Sequence, residues 1–155
     1  MEHRQRLSIQ DIEPDAYQAV LGMERYVRGS GLPKALYELV KIRASQLNGC
    51  GYCLDMHARD ARAGGEDQRR LDVLSAWREA ARLFGEEEQA ALALTEAVTL
   101  ISEAGVSDEV WENATKHFGD AGAVRLLVAI ATINVWNRLA VSTRQDLPES
   151  AQPSS

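Results

Sequence analysis

Cys50 and Cys53 are the only cysteines in the chain; His57 follows four residues after the second, and Glu38 stands twelve before the first. If Cys50 opens a helix, then Cys50, Cys53 and His57 fall at i, i+3 and i+7. At about 100° per residue all three share one narrow face. Cys53 then neighbours both Cys50 and His57, which lie two turns apart. A thiolate is the nucleophile in such a set, and a helix N-terminus lowers a cysteine's pKa. An imidazole, which titrates near neutrality, can take the proton. Cys50 is near enough to close a disulfide once Cys53 has been oxidised. Glu38 belongs to the preceding helix, which a short Asn48-Gly49 turn folds back towards the pair. There its carboxylate can orient His57 or relay protons through water. The expected chemistry is therefore thiol redox chemistry at Cys53, Cys50, His57 and Glu38, with no cofactor and no metal. Two plainer readings remain open. The cysteines can be two small core residues, since cysteine is among the most buried types. A zinc site from Cys50, Cys53, His57 and Glu38 is stereochemically possible, although such sites usually show a second clear ligand pair.

Helices must position these groups. Ala16, Val20, Met23 and Val27 recur at helical spacing over residues 15–28, stopped by Gly29-Ser30-Gly31. Pro33 suits the first turn of a second helix reaching about Leu47. A third spans residues 52–63 and ends at Gly64-Gly65. A fourth is expected over residues 67–76, with a further one through Phe84. Glu86, Glu87 and Glu88 complement the positive end of a long helix reaching Glu103. Ser107 caps a helix over residues 108–118, and the last runs over residues 122–142. Strand patterning is nearly missing, so the fold class is all-α. The expected division is a polar N-terminal segment 1–14, one domain 15–144, and a disordered tail 145–155.

A chain of 155 residues is long enough for a real core. Its net charge of −6 offers no electrostatic case for nucleic acid. The N-terminus has no apolar stretch of signal-peptide length. The most apolar segment, residues 121–136, carries Arg125 and is short for a bilayer. No membrane role is expected, and the expected location is cytoplasmic. In a reducing cytosol a close cysteine pair reacts or binds metal more often than it staples a fold. Trp77, Trp111 and Trp136 are expected in the core or at interfaces, and His117 in a structural role at a helix end. Asn134 and Asn137, on an apolar helix, need partners if buried and would bridge helices or subunits.

Glu-x11-Cys-x2-Cys-x3-His on two consecutive helices resembles the alkylhydroperoxidase AhpD-like, or carboxymuconolactone decarboxylase, family. The likeness runs from about Pro33 to Gly65. The final helix, Ile133-Asn-Val-Trp-Asn-Arg-Leu-Ala-Val, is similar to the family's Asn-containing closing helix. Residues 66–119 are only generically similar. The resemblance implies an AhpD-like helical bundle assembled as a homotrimer or homohexamer. It implies that the second cysteine, Cys53, attacks a hydroperoxide and that Cys50 resolves it, with Glu38 and His57 as the proton relay. A dithiol donor then restores the pair. One departure stands out: some peroxidase members carry a second His directly before the attacking cysteine, where this chain has Tyr52. A phenol titrates far above neutrality and does not replace an imidazole base. The decarboxylase branch lacks the cysteine pair, so lactone decarboxylation is the weaker reading. Alternatives are a non-catalytic redox, stress-response or interaction protein of the same fold, and a disulfide oxidoreductase acting on protein thiols.

Overall fold

The computed structural model describes residues 2–149, and all its regular structure is helical. The helices are α1 (Ile9–Ile12), α2 (Pro14–Gly29), α3 (Lys34–Asn48), α4 (Gly51–Ala63), α5 (Gln68–Val73), α6 (Glu86–Thr99), α7 (Ile101–Ala104) and α8 (Asp108–Thr143). Helix α3 is the axis of the bundle and packs against α4, α6 and α8. Its residues 36–42 are buried without interruption. A helix buried on every side must satisfy its polar residues internally. That obligation falls on Glu38 and Lys41, and it decides the design of the site.

Two apolar clusters flank α3. Leu39 and Ile42 pack with Leu71, Leu74, Trp77, Phe84 and Leu92. Leu36 and Val40 pack with Ala91, Leu94, Ala114, Leu126 and Ile130. Trp77 thus lies in the core, as expected, and its Nε1–H donates to Glu96 at 2.9 Å. The same carboxylate accepts from Arg43 and Arg78. Burial works against its ionisation, yet these donors hold Glu96 below the usual carboxylate range.

Several boundaries differ from expectation. The long helix ends at Thr99 rather than Glu103, because Leu100 (φ −98°, ψ 38°) leaves helical geometry before α7 resumes for one turn. Residues 77–84 form turns and a short 3-10 segment instead of a further α-helix. The helices expected over 108–118 and 122–142 are two arms of α8, broken at Gly119 (φ 70°, ψ 172°), a backbone that glycine adopts without a Cβ clash. By length and composition α8 still passes for a membrane span, so shortness is no argument against one. Its buried positions Ala123, Leu126, Ala129, Ile130, Ile133 and Asn137 are instead those of a core helix, packed on α6, α3 and α2.

The N-terminal segment also meets the end of α8 and the residues just after it. The polar N-terminal segment contains α1, and the Arg6 N–H donates to the Thr143 carbonyl at 2.8 Å. At the other end, Gln145 N–H bonds the Ala140 carbonyl at 3.0 Å, and Asp146 N–H bonds Gln5 Oε1 at 3.1 Å. Gln145 and Asp146, at the start of the tail expected to be disordered, are therefore tied to the bundle, and residues 150–155 of that tail lie outside the described residues.

Candidate active site

The α3–α4 corner creates the site. Gly49 takes the left-handed conformation (φ 64°, ψ 34°) that ends α3, a position favouring glycine. The chain then re-enters a helix at once, with Cys50 as the N-cap of α4 rather than its first helical residue. Cys50 Sγ accepts the Cys53 N–H at 3.4 Å, filling a role usually taken by Ser, Thr or Asp. The two sulfurs are 2.6 Å apart, as free thiols. Cys50 is 1% and Cys53 2% exposed, packed against Ala140 of α8 and the half-buried Tyr52.

So close a pair shares its protons. The Cys53 thiol donates to Cys50, and the Cys53 backbone N–H and the Asn137 amide add to it, so Cys50 is lowered to about 7 despite burial. Cys53 is pushed up correspondingly, by giving its proton to Cys50 and by burial. One negative charge and one proton thus suit the pair near neutrality.

Glu38 and His57 come together as the spacing predicts. His57 Nδ1 lies 3.4 Å from Glu38 Oε2, both groups buried. The contact is too poorly aligned for a good hydrogen bond, and neither atom has another partner. Glu38 is held below the usual carboxylate range: burial opposes its charge, but His57 and the Lys41 ammonium outweigh burial. A depressed pKa stabilises the fold above the unfolded carboxyl's pKa and loses that contribution as pH falls through the folded value. Glu38→Gln should therefore flatten the acid limb of stability against pH below about 4, measured by urea denaturation. An unchanged limb would contradict the contact.

The rest of the buried network was missed in the sequence. Lys41, 3% exposed, bridges Glu38 Oε1 at 3.2 Å and Glu24 Oε1 at 3.5 Å. Glu24 Oε2 accepts from Tyr37 Oη at 2.8 Å and Trp136 Nε1 at 3.3 Å. Burial, followed by Glu24, raises the Tyr37 phenol. A line of groups, Glu24, Lys41, Glu38, His57, thus runs from α2 through α3 to α4. Its signal was present: Lys41 stands at i+3 from Glu38 inside an apolar stretch, and neither charge has a way out. Removing one partner of a buried ion pair costs about 3–5 kcal/mol. Lys41→Met should lose stability in that range, read from the urea midpoint; a loss below about 1 kcal/mol would show that the pairing is solvated.

Cys53, His57, Tyr17, Tyr52, Met56 and Trp136 line a cavity of about 180 Å³. With Nδ1 against Glu38, His57 has Nε2 left for that cavity. Asn137, fully buried, accepts from Asn48 at 2.9 Å and donates to Ser45 at 3.0 Å, so it bridges α8 to α3 behind the cysteines. Asn134 accepts from the same Asn48 amide at 2.9 Å. The asparagines expected to need partners therefore bridge helices. Glu38, His57 and Asp60 place one ligand atom each within 4.8 Å of one another, a group that does not include the cysteines considered for zinc.

Fold and site together define an AhpD-like all-helical protein built around a buried dithiol with a His–Glu pair behind it. The carboxymuconolactone decarboxylase family profile matches residues 14–97, and the chain belongs to that family. It is 40% identical over 138 residues to the uncharacterized protein YdfG of Bacillus subtilis, covering 89% of this chain and 93% of that one. It is 39% identical to the crystal structure of ATU0492 from Agrobacterium tumefaciens, a protein of unknown function ascribed to AhpD antioxidant defence. The TM-score is 0.91, over 95% of this chain and 100% of that one. The debrominase Bmp8 shares the fold at TM-score 0.77 and 20% identity, over 87% of this chain and 72% of that one.

Proposed function

We propose that the protein is a thiol-dependent peroxidase that reduces hydroperoxides through Cys53 and Cys50. The observation carrying this reading is that Cys53 and His57 line one cavity while Glu38 backs His57 from the far side. Cys53 thiolate attacks the terminal oxygen of ROOH. The O–O bond breaks, a proton relayed by His57 leaves with the alcohol ROH, and Cys53 becomes a sulfenic acid. Cys50 then displaces water to form the disulfide, which two thiols return to the dithiol, leaving as their own disulfide. Tyr52 gives no second base, since burial raises its phenol further. The ascription of the Agrobacterium relative to antioxidant defence is consistent with this chemistry.

The reading predicts a reversible intramolecular disulfide. Mild oxidation should remove two hydrogens from the mass of the intact chain, and dithiothreitol should restore them. Free thiols persisting under excess hydroperoxide would refute the mechanism.

A second reading has one observation in its favour: the N-cap thiol of Cys50, lowered to about 7, suits thiol exchange with protein disulfides. Reduction of a protein disulfide with no hydroperoxide consumption would select it. We further propose a homotrimer or homohexamer. Ile101 and Val124 leave large apolar side chains exposed on α7 and α8. Light scattering should give a multiple of the 17.1 kDa chain mass; the monomer mass would refute assembly.

A further inference from the structure

The two sulfurs touch each other, but the two cysteines line different cavities. Cys53 lines the 180 Å³ cavity with His57. Cys50 lines another, of about 330 Å³, with Gly49, Gly51, Val141, Arg144 and Leu147. Tyr52, Ala140 and Gln145 line both and form the wall between them. This wall is well held: Ala140 packs on the cysteines, and the Gln145 N–H is bonded to the Ala140 carbonyl. The Cys50 cavity is lined by two glycines, Gly49 and Gly51, and a Cβ on either would meet nothing within 4 Å.

We propose that thiol exchange takes place at Cys50, through its own cavity, on the side of the pair away from the His57 cavity. This rests on the dithiol chemistry proposed above and assigns the sulfur and the face by which the reductant enters. A thiolate RS⁻ entering there attacks Cys50 Sγ, breaks the Cys50–Cys53 bond and forms a Cys50–S–S–R mixed disulfide. Cys53 is expelled beside His57, which supplies the proton that makes it a thiol. A second thiol then attacks the sulfur of R, yielding RSSR and releasing Cys50 as a thiolate. That departure is eased by the Cys53 N–H at 3.4 Å and the Asn137 amide, which favour the charged form of Cys50. Attack on Cys53 would instead require the reductant to enter the peroxide cavity and displace its contents. Separate faces let oxidant and reductant act without competing for one pocket.

The test uses single-thiol variants of the full chain and an aromatic disulfide reagent, dithiobis-nitrobenzoate, which needs no peroxide. Cys50 in the Cys53→Ser protein should react about tenfold or more faster than Cys53 in the Cys50→Ser protein. Adding Gly51→Phe to Cys53→Ser should slow Cys50 by about tenfold, because the ring blocks its cavity. Leu147→Trp, at an exposed site on the same cavity, repeats the obstruction should Gly51→Phe fail to fold. Equal reactivity of the two thiols, or a well-folded obstructed variant that reacts at the unobstructed rate, overturns the proposal. Inertness to hydroperoxide with the Cys50 selectivity intact upholds it and overturns the peroxidase reading instead.

Discussion

Cys53→Ser should abolish hydroperoxide consumption, whereas Cys50→Ser should complete one turnover and stop with a sulfenic acid on Cys53. The two thiols differ in surroundings more than in burial. If thiolate population alone chose the nucleophile, Cys50 would attack the peroxide, because its thiol is lowered to about 7 while that of Cys53 is raised. Position points the other way. Only Cys53 shares a cavity with His57, where the alkoxide leaving from the peroxide can be protonated. Attack at Cys53 therefore requires the charge favoured on Cys50 to pass to its neighbour, and the two sulfurs are in direct contact. In Cys50→Ser the hydroxyl can still cap α4, so the fold should survive, but nothing remains to condense with the sulfenic acid. Dimedone labelling followed by peptide mass spectrometry decides it. Labelling of Cys50 in Cys53→Ser, with none of Cys53 in Cys50→Ser, would reverse the roles.

His57→Gln should slow single-turnover thiol oxidation at pH 7 by about 10²–10⁴-fold, the usual contribution of a general acid or base. Glutamine keeps a side chain of similar reach but moves no proton. The deficit should shrink as pH rises, since hydroxide then deprotonates the pair without help. Glu38→Gln should be milder, because it keeps the contact with His57 and loses only the charge that orients and supports it. Glu38 is held below the usual carboxylate range, so it stays ionised through the neutral and alkaline profile and contributes no inflection there. A His57→Gln protein matching the unaltered one at pH 7 would leave activation to the helix N-terminus and the Cys53–Cys50 contact alone. A Glu38→Gln loss larger than that of His57→Gln would move the principal proton acceptor to the carboxylate.

Much of the site could be read along the chain because it is local. Cys53 and His57 share one face of α4 and Cys50 caps that helix, so local geometry brings the three together whatever surrounds them. Glu38 needed one further inference, a reversal at Asn48-Gly49, and the left-handed Gly49 provides it. The helix stops at Gly29 and Gly64 were legible for the same reason: a stop is a property of a few consecutive residues. The break at Leu100 carried no such residue and had no local signal.

The residues alone thus determined an all-helical chain, the thiol pair and the His–Glu couple, through periodicities and spacings that act within about a dozen residues. Only the tertiary structure decided three other things. It buried α3 on every side, which forced Glu38 to share Lys41 with Glu24 from α2. It placed Asn137 of α8 behind Cys50, favouring a thiolate there. It also laid Ala140 against the cysteines, with Ala140 and Gln145 lining both cavities, so that two cysteines in contact line different cavities. Each depends on groups dozens of residues apart, brought together by packing apolar helix faces. Such packing follows from shape and volume summed over the whole core rather than from any local pattern.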